Sequence, residues 1–329
     1  MRVAVVAGGP SSEAEVSRAS ARGVARALRD GGHEPTVLEL DERLPAELAS
    51  ASPEVVFPVT HGTLGEDGCL QGLLEVLGLP YVGSGVLASA LAADKAAAKR
   101  LLASHGVPLL PSDTVTALPS SEAALERELS ELRARLGGAF VVKPVGGGSA
   151  IGVTIVRPED SADVYRNALE QALALDRVVL VERFHQGHEV TCGVLEDEHG
   201  EARALPPTLI RARAAGFYDF TSKYGTGGSE HVCPAPFSDE LTRGIQAAAV
   251  SAHRALGCRD LSRVDFVVPD AGDFVVLEVN TLPGMTGTSL FPEAAAASGI
   301  SFVALCDRLV RAAGGRPKGL RPPAMPLPV

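Results

Sequence analysis

The sequence predicts an α/β fold, because segments with strand and helix patterns alternate along most of its 329 residues. Short valine-rich runs, such as Arg2–Ala7 and residues 178–183, have the length and composition of buried strands. Longer alanine-rich segments have the composition of helices, and we predict a single helix over residues 85–105. A hairpin pattern at residues 262–280 places an antiparallel pair of strands late in the chain.

The overall composition narrows the classes of function. A net charge of −10 and a pI of about 5.3 argue against nucleic acid as a partner. No apolar run approaches the roughly 20 residues of a membrane span, and the first residues have too short an apolar core for a signal peptide. The five cysteines show no paired spacing. We therefore expect a cytoplasmic protein with no membrane partner, and a disordered Pro-rich tail over residues 315–329.

The first candidate loop follows the first strand. After Arg2–Ala7 comes a glycine turn, and a helix follows to about Gly31, with Ser11 or Ser12 as its expected N-cap. The GxGxxG pattern is absent, which sets NAD binding aside. Glu13 either contributes to a ligand site or only stabilises the start of the helix through the helix dipole.

The second candidate loop follows a predicted strand at residues 54–60. This strand ends at His61 among glycines, where open α/β sheets bind their ligands. A histidine at such a place is about equally a structural or a functional residue. Both interpretations stay open on the sequence alone.

A third loop lies between two short strands in the middle of the chain. Residues 139–144 form a short predicted strand whose last two residues are Lys143 and Pro144, and the glycine-rich segment VGGGSAIG follows at 145–152. Such a loop forms either a flap whose N–H groups cover phosphates or an ordinary glycine-rich hairpin; it lacks the GK[ST] ending of a P-loop. Residues 216–228, with several aromatics and Lys223, are typical of a lid or of an exposed loop.

The hairpin at residues 262–280 carries the strongest chemical signal. With Ala271-Gly272 as the turn, Asp265 stands opposite Glu278 and Arg263 opposite Asn280, all on one face. The opposite face is then apolar, formed by Val264, Phe266 and Val268 against Val279, Leu277 and Val275.

Oxygen ligands at the spacing of Asp265, Glu278 and Asn280 suit Mg²⁺, and an arginine beside them can stabilise developing negative charge. The alternative is a solvated outer face with cross-strand salt bridges. Because two carboxylates would face each other there, we favour a metal site.

Taken together, these segments resemble the D-alanine–D-alanine ligases of the ATP-grasp superfamily. The most specific matches are HGTLGEDGCLQGLLEVLGLPYVGSGVLASALAADK at 61–95 and the pair RVDF and LEVNTLPGMTGTSL at 263–290. The resemblance implies an N-terminal parallel-sheet domain (the pre-ATP-grasp domain) followed by a two-lobed ATP-grasp fold. We place the domains at residues 1–94, 95–180 and 181–314.

The resemblance also implies roles for individual residues. It implies an ATP site formed by Lys95, Lys143, Gly148, Glu182, Arg183, Phe184, Glu189 and Lys223. It implies catalytic residues Glu13, Ser149, Tyr224 and Arg263, and substrate-binding residues His61, Ser289 and Leu290. Two Mg²⁺ (or Mn²⁺) ions would be held by Asp265, Glu278 and Asn280.

The implied reaction is ATP-dependent joining of two D-alanines through an acyl phosphate, for peptidoglycan precursors. The implied partners are small molecules only, D-alanine and ATP, in a homodimer. The sequence departs from the family at Ala150, usually a second serine, at Gly146-Gly147, and at Ala14. The alternatives are a ligase that takes D-lactate, D-serine or another amino acid, and a non-catalytic ATP-binding module. Tyr224 favours an amine nucleophile over D-lactate.

Overall fold

The computed structural model describes residues 1–148, 150–212, 229–270 and 272–316, and these form three sheets with flanking helices. The first sheet is parallel, with β1 (Arg2–Ala7) between β2 (Glu34–Glu39) and β3 (Val55–Pro58). Strand β1 is apolar and buried on both faces, as a central parallel strand must be. One face packs on α1 (Ala14–Asp30), and the other packs on α2 (Leu44–Ala51) and α3 (Cys69–Leu77).

The entry into α1 differs from the expectation of a serine cap. Its N-cap is Glu13, which makes no capping hydrogen bond with its side chain. The hydroxyl of Ser11 instead accepts the N–H of Glu13 at 3.0 Å, and the Ser11 carbonyl accepts the N–H of Ala14. Ser11 therefore stabilises the turn before the helix and brings Glu13 to the end of β1.

The single helix predicted over residues 85–105 is wrong, because the structure contains two helices there. Helix α4 spans Val86–Ala93 and α5 spans Lys95–Ser104, and Asp94 between them has an extended backbone. The Asp94 carboxylate accepts the N–H of Ala97 at 2.8 Å, so it caps α5 rather than continuing α4. Aspartate competes with the helix for backbone N–H groups in this way. The break places Lys95 in the first turn of α5.

The second sheet is antiparallel and has the strand order β4-β7-β5-β6. Its strands are β4 (Ser112–Val115), β5 (Phe140–Pro144), β6 (Thr154–Val156) and β7 (Val179–Arg183). Helices α6 (Glu122–Leu136) and α7 (Ala162–Leu173) cover it, and their apolar residues form one cluster with Phe140 and Val181. The side opposite this cluster is left to carry Lys143 and its neighbours, since side chains alternate along β5.

The third sheet has the order β11-β10-β8-β12-β13, with β9 paired to β8. Its strands are β8 (His188–Glu196), β9 (Ala202–Ala204), β10 (Thr208–Ala212), β11 (Ser229–Val232), β12 (Leu261–Val268) and β13 (Val275–Asn280). Helices α8 (Asp239–Leu256), α9 (Leu290–Ala297) and α10 (Phe302–Gly314) complete the described chain. One core cluster joins Val5 of β1 to Leu195 of β8 and Leu305 of α10, so the first and third sheets share a core.

The hairpin of β12 and β13 has the predicted register at its functional end and a different one beyond it. Arg263 pairs with Asn280 and Asp265 with Glu278, as predicted. A β-bulge follows, so that Phe266 pairs with Val276 rather than with Leu277. The prediction that Leu277 and Val275 belong to the buried apolar face was therefore wrong. Val276 takes the buried place, and Leu277 lines a cleft beside Glu278.

The predicted domain boundaries stay a prediction, but two of them can be located relative to elements of the structure. The boundary between residues 180 and 181 falls inside β7. Arg316, assigned to the tail, is among the described residues and is hydrogen-bonded to Tyr81. In the described part of the chain, no single helix is long and apolar enough to cross a membrane; α9 and α10 reach that length only as a pair bent by 103°.

Candidate active site

A cleft of about 2540 Å³ lies where the three sheets meet. Every predicted site residue within the described ranges lines this cleft. These residues are Glu13, His61, Lys95, Lys143, Gly148, Glu182, Arg183, Phe184, Glu189, Arg263, Asp265, Glu278, Asn280, Ser289 and Leu290. The predicted site residues Ser149, Lys223 and Tyr224, the tail beyond Arg316, and the predicted lid lie outside the described residues.

Lys143 and Glu182 line the cleft, and the buried Lys99 contacts Glu182 behind them; we call these three residues the lysine cluster. Glu182 lies on β7, is 2% exposed, and accepts Lys143 Nζ on Oε2 at 2.7 Å and Lys99 Nζ on Oε1. Burial alone would raise the pKa of Glu182, but the two lysines hold that pKa below its ordinary value. Burial lowers the pKa of Lys99, against the attraction of Glu182. The cluster therefore pairs one buried carboxylate with two lysines.

Lys99 was not predicted as a site residue. It lies one helical turn after Lys95 on α5, and residues four apart share a helix face. That spacing was the available signal. It could not show that this face of α5 packs against Glu182, which lies on β7 of the second sheet.

Lys95 joins the glycine loop to the hairpin. Its Nζ donates to the carbonyl of Gly147 at 2.6 Å and lies 3.4 Å from Glu278 Oε2. Asp176 anchors the preceding residue of the loop, since its Oδ2 accepts the N–H of Gly146 at 2.6 Å. Asp176 also was not predicted. A glycine loop anchored at Gly146 and Gly147 beside a lysine can present its remaining N–H groups to an anion.

Gly148 brings the glycine loop to the opposite wall of the cleft. A Cβ atom added at Gly148 would lie 3.4 Å from Glu13 Oε2. The loop therefore reaches across to the start of α1, and the phosphate-type loop and the Glu13 carboxylate face the same space.

The end of the hairpin concentrates charged groups. Arg263 binds Asp265 with two hydrogen bonds of 2.8 Å, from Nε to Oδ1 and from Nη2 to Oδ2. Asp265 also accepts Thr191 Oγ1 at 2.8 Å and Asn280 Nδ2 at 3.0 Å. Glu278 stands directly across from Asp265. Within the described chain no three His, Cys, Asp or Glu side chains group as a metal site, so a cation here would use two carboxylates with the Asn280 amide oxygen.

The other wall holds a group that we call the acidic corner: Glu13, His61 and Glu66. His61 is buried, its ring hydrogen-bonds the backbone of Leu282, and its Nδ1 lies 4.0 Å from Glu66 Oε2. Burial, together with the charge of Arg263, lowers the pKa of His61 against the influence of Glu13. Burial and the charges of Glu13 and Glu278 raise the pKa of Glu66 to about 7.

Glu66 is a residue of this site that sequence reasoning missed. It lies in the GEDG segment after His61, and Gly62 N–H donates to its Oε1 at 2.9 Å. The signal was an acidic residue in a glycine-rich loop at a strand end. Its raised pKa depends on distant residues, which the local pattern does not contain.

The far end of the cleft is formed by the start of α9. Ser289 is the N-cap of this helix, and its Oγ accepts the N–H of Thr286 at 3.0 Å. Leu290 follows as the first helical residue. The N-terminus of a helix favours a negative group such as a carboxylate.

The strand exit beside the lysine cluster contains Arg183 and Phe184. The N–H groups of Arg183 and Phe184 donate to the carbonyls of Pro111 and Ala139, both at 3.0 Å. Arg183 Nε donates to the Leu136 carbonyl at 2.8 Å, and Glu189 follows at the start of β8. The backbone at this exit is thus fixed on both sides, and Phe184 lines the cleft.

The parallel sheet, the two antiparallel sheets and the lysine- and carboxylate-lined cleft between them define an ATP-grasp ligase fold, as predicted. Family models for the C-terminus and the N-terminus of D-ala D-ala ligase match residues 101–311 and 41–84. The chain belongs to the D-alanine–D-alanine ligase family, a family of ligase enzymes.

Relatives and solved structures agree with this assignment. The D-alanine–D-alanine ligase of Gluconobacter oxydans is 44% identical over 96% of this chain and 100% of its own length. A D-alanine–D-alanine ligase structure from Bacillus anthracis has a TM-score of 0.79 and 34% identity, covering 95% of this chain and 97% of its own. The VanG D-Ala:D-Ser ligase of Enterococcus faecalis has a TM-score of 0.79 and 31% identity, over 95% of this chain and 99% of its own.

Proposed function

We propose that this protein joins two molecules of D-alanine, using ATP, and releases D-alanyl-D-alanine for peptidoglycan precursors. The observation that carries the proposal is that one cleft joins the lysine cluster, the glycine loop, the hairpin charges and the acidic corner. Membership of the ligase family and a Bacillus anthracis relative complexed with ATP support it. We also propose that it acts in the cytoplasm.

The nucleotide would bind along the lysine-rich side of the cleft. Lys95, Lys143 and the N–H groups around Gly148 would hold its phosphates, and Lys223 would join them. Glu182, Arg183, Phe184 and Glu189 would contact the base and the ribose. Pairing with Glu182 keeps Lys143 in place before the nucleotide arrives, which limits the ordering needed on binding.

Two Mg²⁺ (or Mn²⁺) ions would be held by Asp265, Glu278 and Asn280. The donor set fits, because two carboxylates face each other across the paired strands and because rotation of the Asn280 amide, whose Nδ2 donates to Asp265 in this structure, would present its oxygen. Bound ions of this kind neutralise phosphate charge during phosphoryl transfer. Arg263, held in place by Asp265, is positioned to stabilise the oxyanion of the tetrahedral intermediate.

The amino acids would bind at the acidic corner and at α9. Glu13 would hold the ammonium group of the first D-alanine and His61 would lie near its carboxylate, while Ser289 and Leu290 would hold the carboxylate of the second. ATP phosphorylates the first carboxylate to an acyl phosphate, the second amine attacks it, and phosphate leaves. Ser149 and Tyr224 would complete the catalytic set.

The test measures ADP release with Mg²⁺-ATP and D-alanine, and identifies the product by mass. We expect ADP and dipeptide in equal amounts, and loss of turnover in Glu278→Gln. Asp273→Asn is the matched control, because Asp273 is an exposed acid on the same hairpin. Unchanged turnover in Glu278→Gln would reject the metal assignment.

A second candidate is a ligase that takes D-serine or D-lactate as its second substrate. The similarity to a D-Ala:D-Ser ligase, with a TM-score of 0.79, favours including it. ADP release without dipeptide from D-alanine alone, but with mixed product when D-serine or D-lactate is added, would select this candidate. No ADP from any of them would favour a non-catalytic ATP-binding module.

We propose further that the protein is a homodimer that pairs through α3 and α4. These adjacent helices expose Val76, Leu77, Val86 and Leu87, with Val76 86% and Leu87 72% exposed. Large aliphatic side chains grouped on a surface favour a protein partner. Light scattering should show a dimer that Leu87→Asp dissociates. Leu175→Asp, at another exposed leucine, should not change the mass.

A further inference from the structure

Asp260 connects three parts of the chain although it lies outside the cleft. It is 4% exposed and has a left-handed backbone with φ 63°, which is uncommon for a residue other than glycine. Its Oδ2 accepts the N–H of Gly83 at 2.7 Å, and its Oδ1 binds Arg316 Nη2. Its own N–H donates to Glu196 Oε2 at 2.9 Å. The turn that leads into β12 is thereby tied to residues 81–84 and to Arg316, which follows α10.

Residues 81–84, which we call the crossing loop, are held by two arginines. Arg316 Nη1 donates to the carbonyl of Tyr81 at 2.7 Å, and Arg259 Nε donates to the carbonyl of Gly83 at 2.9 Å. The Arg259 guanidinium lies 5.0 Å from the centre of the Tyr81 ring. The carbonyl side and the N–H side of the crossing loop are therefore both bound, to the turn before β12 or to Arg316 after α10.

The crossing loop contacts the wall of the cleft. A Cβ atom added at Gly83 would lie 2.9 Å from Leu282 Cδ2, so backbone and side chain are in close contact there. Leu282 is buried, lines the cleft, and its backbone hydrogen-bonds the His61 ring. A continuous path of contacts thus runs from Arg316 and Asp260 through Gly83 and Leu282 to His61.

We propose that Arg316 and Asp260 are positioning residues for the His61 wall of the cleft. Arg316 compensates a buried carboxylate, and the pair fixes the crossing loop against Leu282, which in turn orients His61. Breaking a buried ion pair by removing one partner leaves an uncompensated charge, so the crossing loop should shift when Arg316 is lost. The kinetic part of this proposal rests on the proposed function; the structural part does not.

The main test compares Arg316→Ala with wild type by hydrogen exchange and by steady-state kinetics. We expect faster exchange in peptides that contain residues 81–84 and 281–283, with β1 unchanged. We expect kcat/KM for D-alanine to fall about 10- to 100-fold while KM for ATP stays unchanged, since small displacements of substrate-positioning groups have effects of this size. Arg311→Ala is the control, because Arg311 makes an exposed ion pair with Asp307 on α10.

Two further variants separate positioning from general stability. Asp260→Asn keeps an acceptor for Gly83 N–H and tolerates the left-handed backbone, so it should show a smaller version of the same changes. Combined with Arg316→Ala it should add little, because both remove one ion pair. If Arg316→Ala does not fold, Arg316→Lys replaces it, since lysine keeps the charge but not the planar fork.

The results test the positioning role of Arg316 and the proposed ligase function separately. Unchanged exchange at residues 81–84 would overturn the positioning role, and so would faster exchange with an unchanged kcat/KM for D-alanine. A wild-type protein without ligase activity would reject the proposed function, while the exchange data would still decide whether Arg316 holds the crossing loop.

Discussion

The lysine cluster and the acidic corner each place a carboxyl group in the same cleft, and the pKa values of the two groups shift in opposite directions. Glu182 is more deeply buried than Glu66, whose side chain is 23% exposed, yet the pKa of Glu182 is lowered and that of Glu66 is raised to about 7. Burial acts in the same direction on both groups. The neighbours differ, since two lysines bind Glu182 while Glu13 and Glu278 lie near Glu66.

This difference suggests a division of labour across the cleft. A carboxylate that stays ionised among lysines can hold cations in place for a polyanion such as ATP. A carboxyl group with a pKa near 7 can exist in either protonation state near neutral pH, as groups that exchange protons with substrates do. The four predictions below test the two sides, beginning with the largest expected effect.

Glu182→Gln should be the most destructive single change. It would leave Lys99 and Lys143 facing each other in a buried space, and removing one partner of a buried ion pair costs about 3–5 kcal/mol. We expect this loss in the free energy of unfolding by urea denaturation, together with weaker ATP binding by calorimetry.

The control for Glu182→Gln is Glu66→Gln, measured at the same neutral pH. A similar loss of stability in both variants would show that burial alone, and not the lysines, distinguishes the two carboxyl groups. The folded-state pKa of Glu182 is depressed, so its contribution to stability should be present near neutral pH and disappear as the pH falls through that pKa.

Arg263→Ala should remove catalysis with little loss of nucleotide binding. Loss of one oxyanion-stabilising donor typically lowers kcat about 10²- to 10³-fold, or about 2.7–4 kcal/mol in the activation barrier. Asp265 would lose its bidentate partner as well, so the variant should be checked by circular dichroism. Arg243→Ala, at an exposed position on α8, should keep wild-type kcat. A fall in kcat below about tenfold would contradict the role given to Arg263.

Glu66→Gln should change how stability depends on pH. The folded-state pKa of about 7 lies above the ordinary value of about 4.3, so Glu66 stabilises the fold below pH 4.3 and loses that contribution as the pH rises through 7. Glutamine resembles the protonated form at every pH. The variant should therefore match wild type at low pH and exceed it by about 3–4 kcal/mol at pH 8.

The measurement for Glu66 is urea denaturation at a series of pH values, with carboxyl-carbon NMR to read the pKa of the free protein. Glu75→Gln would be a poor control, because Glu75 accepts the Tyr81 hydroxyl at 2.8 Å. Glu126→Gln, at an exposed position on α6, is suitable and should show no such pH dependence. An NMR pKa near 4.3 would remove the distinction between the two sides of the cleft.

Much of the fold and of the site follows from the sequence, for identifiable reasons. Strand alternation fixed the pairing of Arg263 with Asn280 and of Asp265 with Glu278, because a slip by one residue would expose the apolar face. The bulge beyond Asp265 was not predictable, since either Val276 or Leu277 offers an apolar side chain to the core. Which of these two side chains is buried depends on how β13 packs in the folded protein.

The residues that the sequence did not reveal share one property. Lys99 pairs with Glu182, 83 residues away, and Asp176 accepts the N–H of Gly146, 30 residues away. The pKa of Glu66 is raised by the charges of Glu13 and Glu278, which lie on other elements. No local stretch of sequence therefore contains the function of these three residues. Arg316 was placed in a disordered tail because its neighbours are prolines and glycines. Its hydrogen bond to the Tyr81 carbonyl is a long-range contact that composition cannot show.

Asp94→Ala should have the smallest effect of the four and should weaken the lysine side alone. The Asp94 carboxylate caps α5 through the Ala97 N–H, and loss of such a cap costs about 1 kcal/mol. Without it, the first turn of α5 frays and Lys95 loses its fixed position between Gly147 and Glu278. We expect a higher KM for ATP with an unchanged KM for D-alanine. Asp94→Asn keeps a capping oxygen and should restore wild-type values; an equal rise in both KM values would mean that the two sides of the cleft are not independently held.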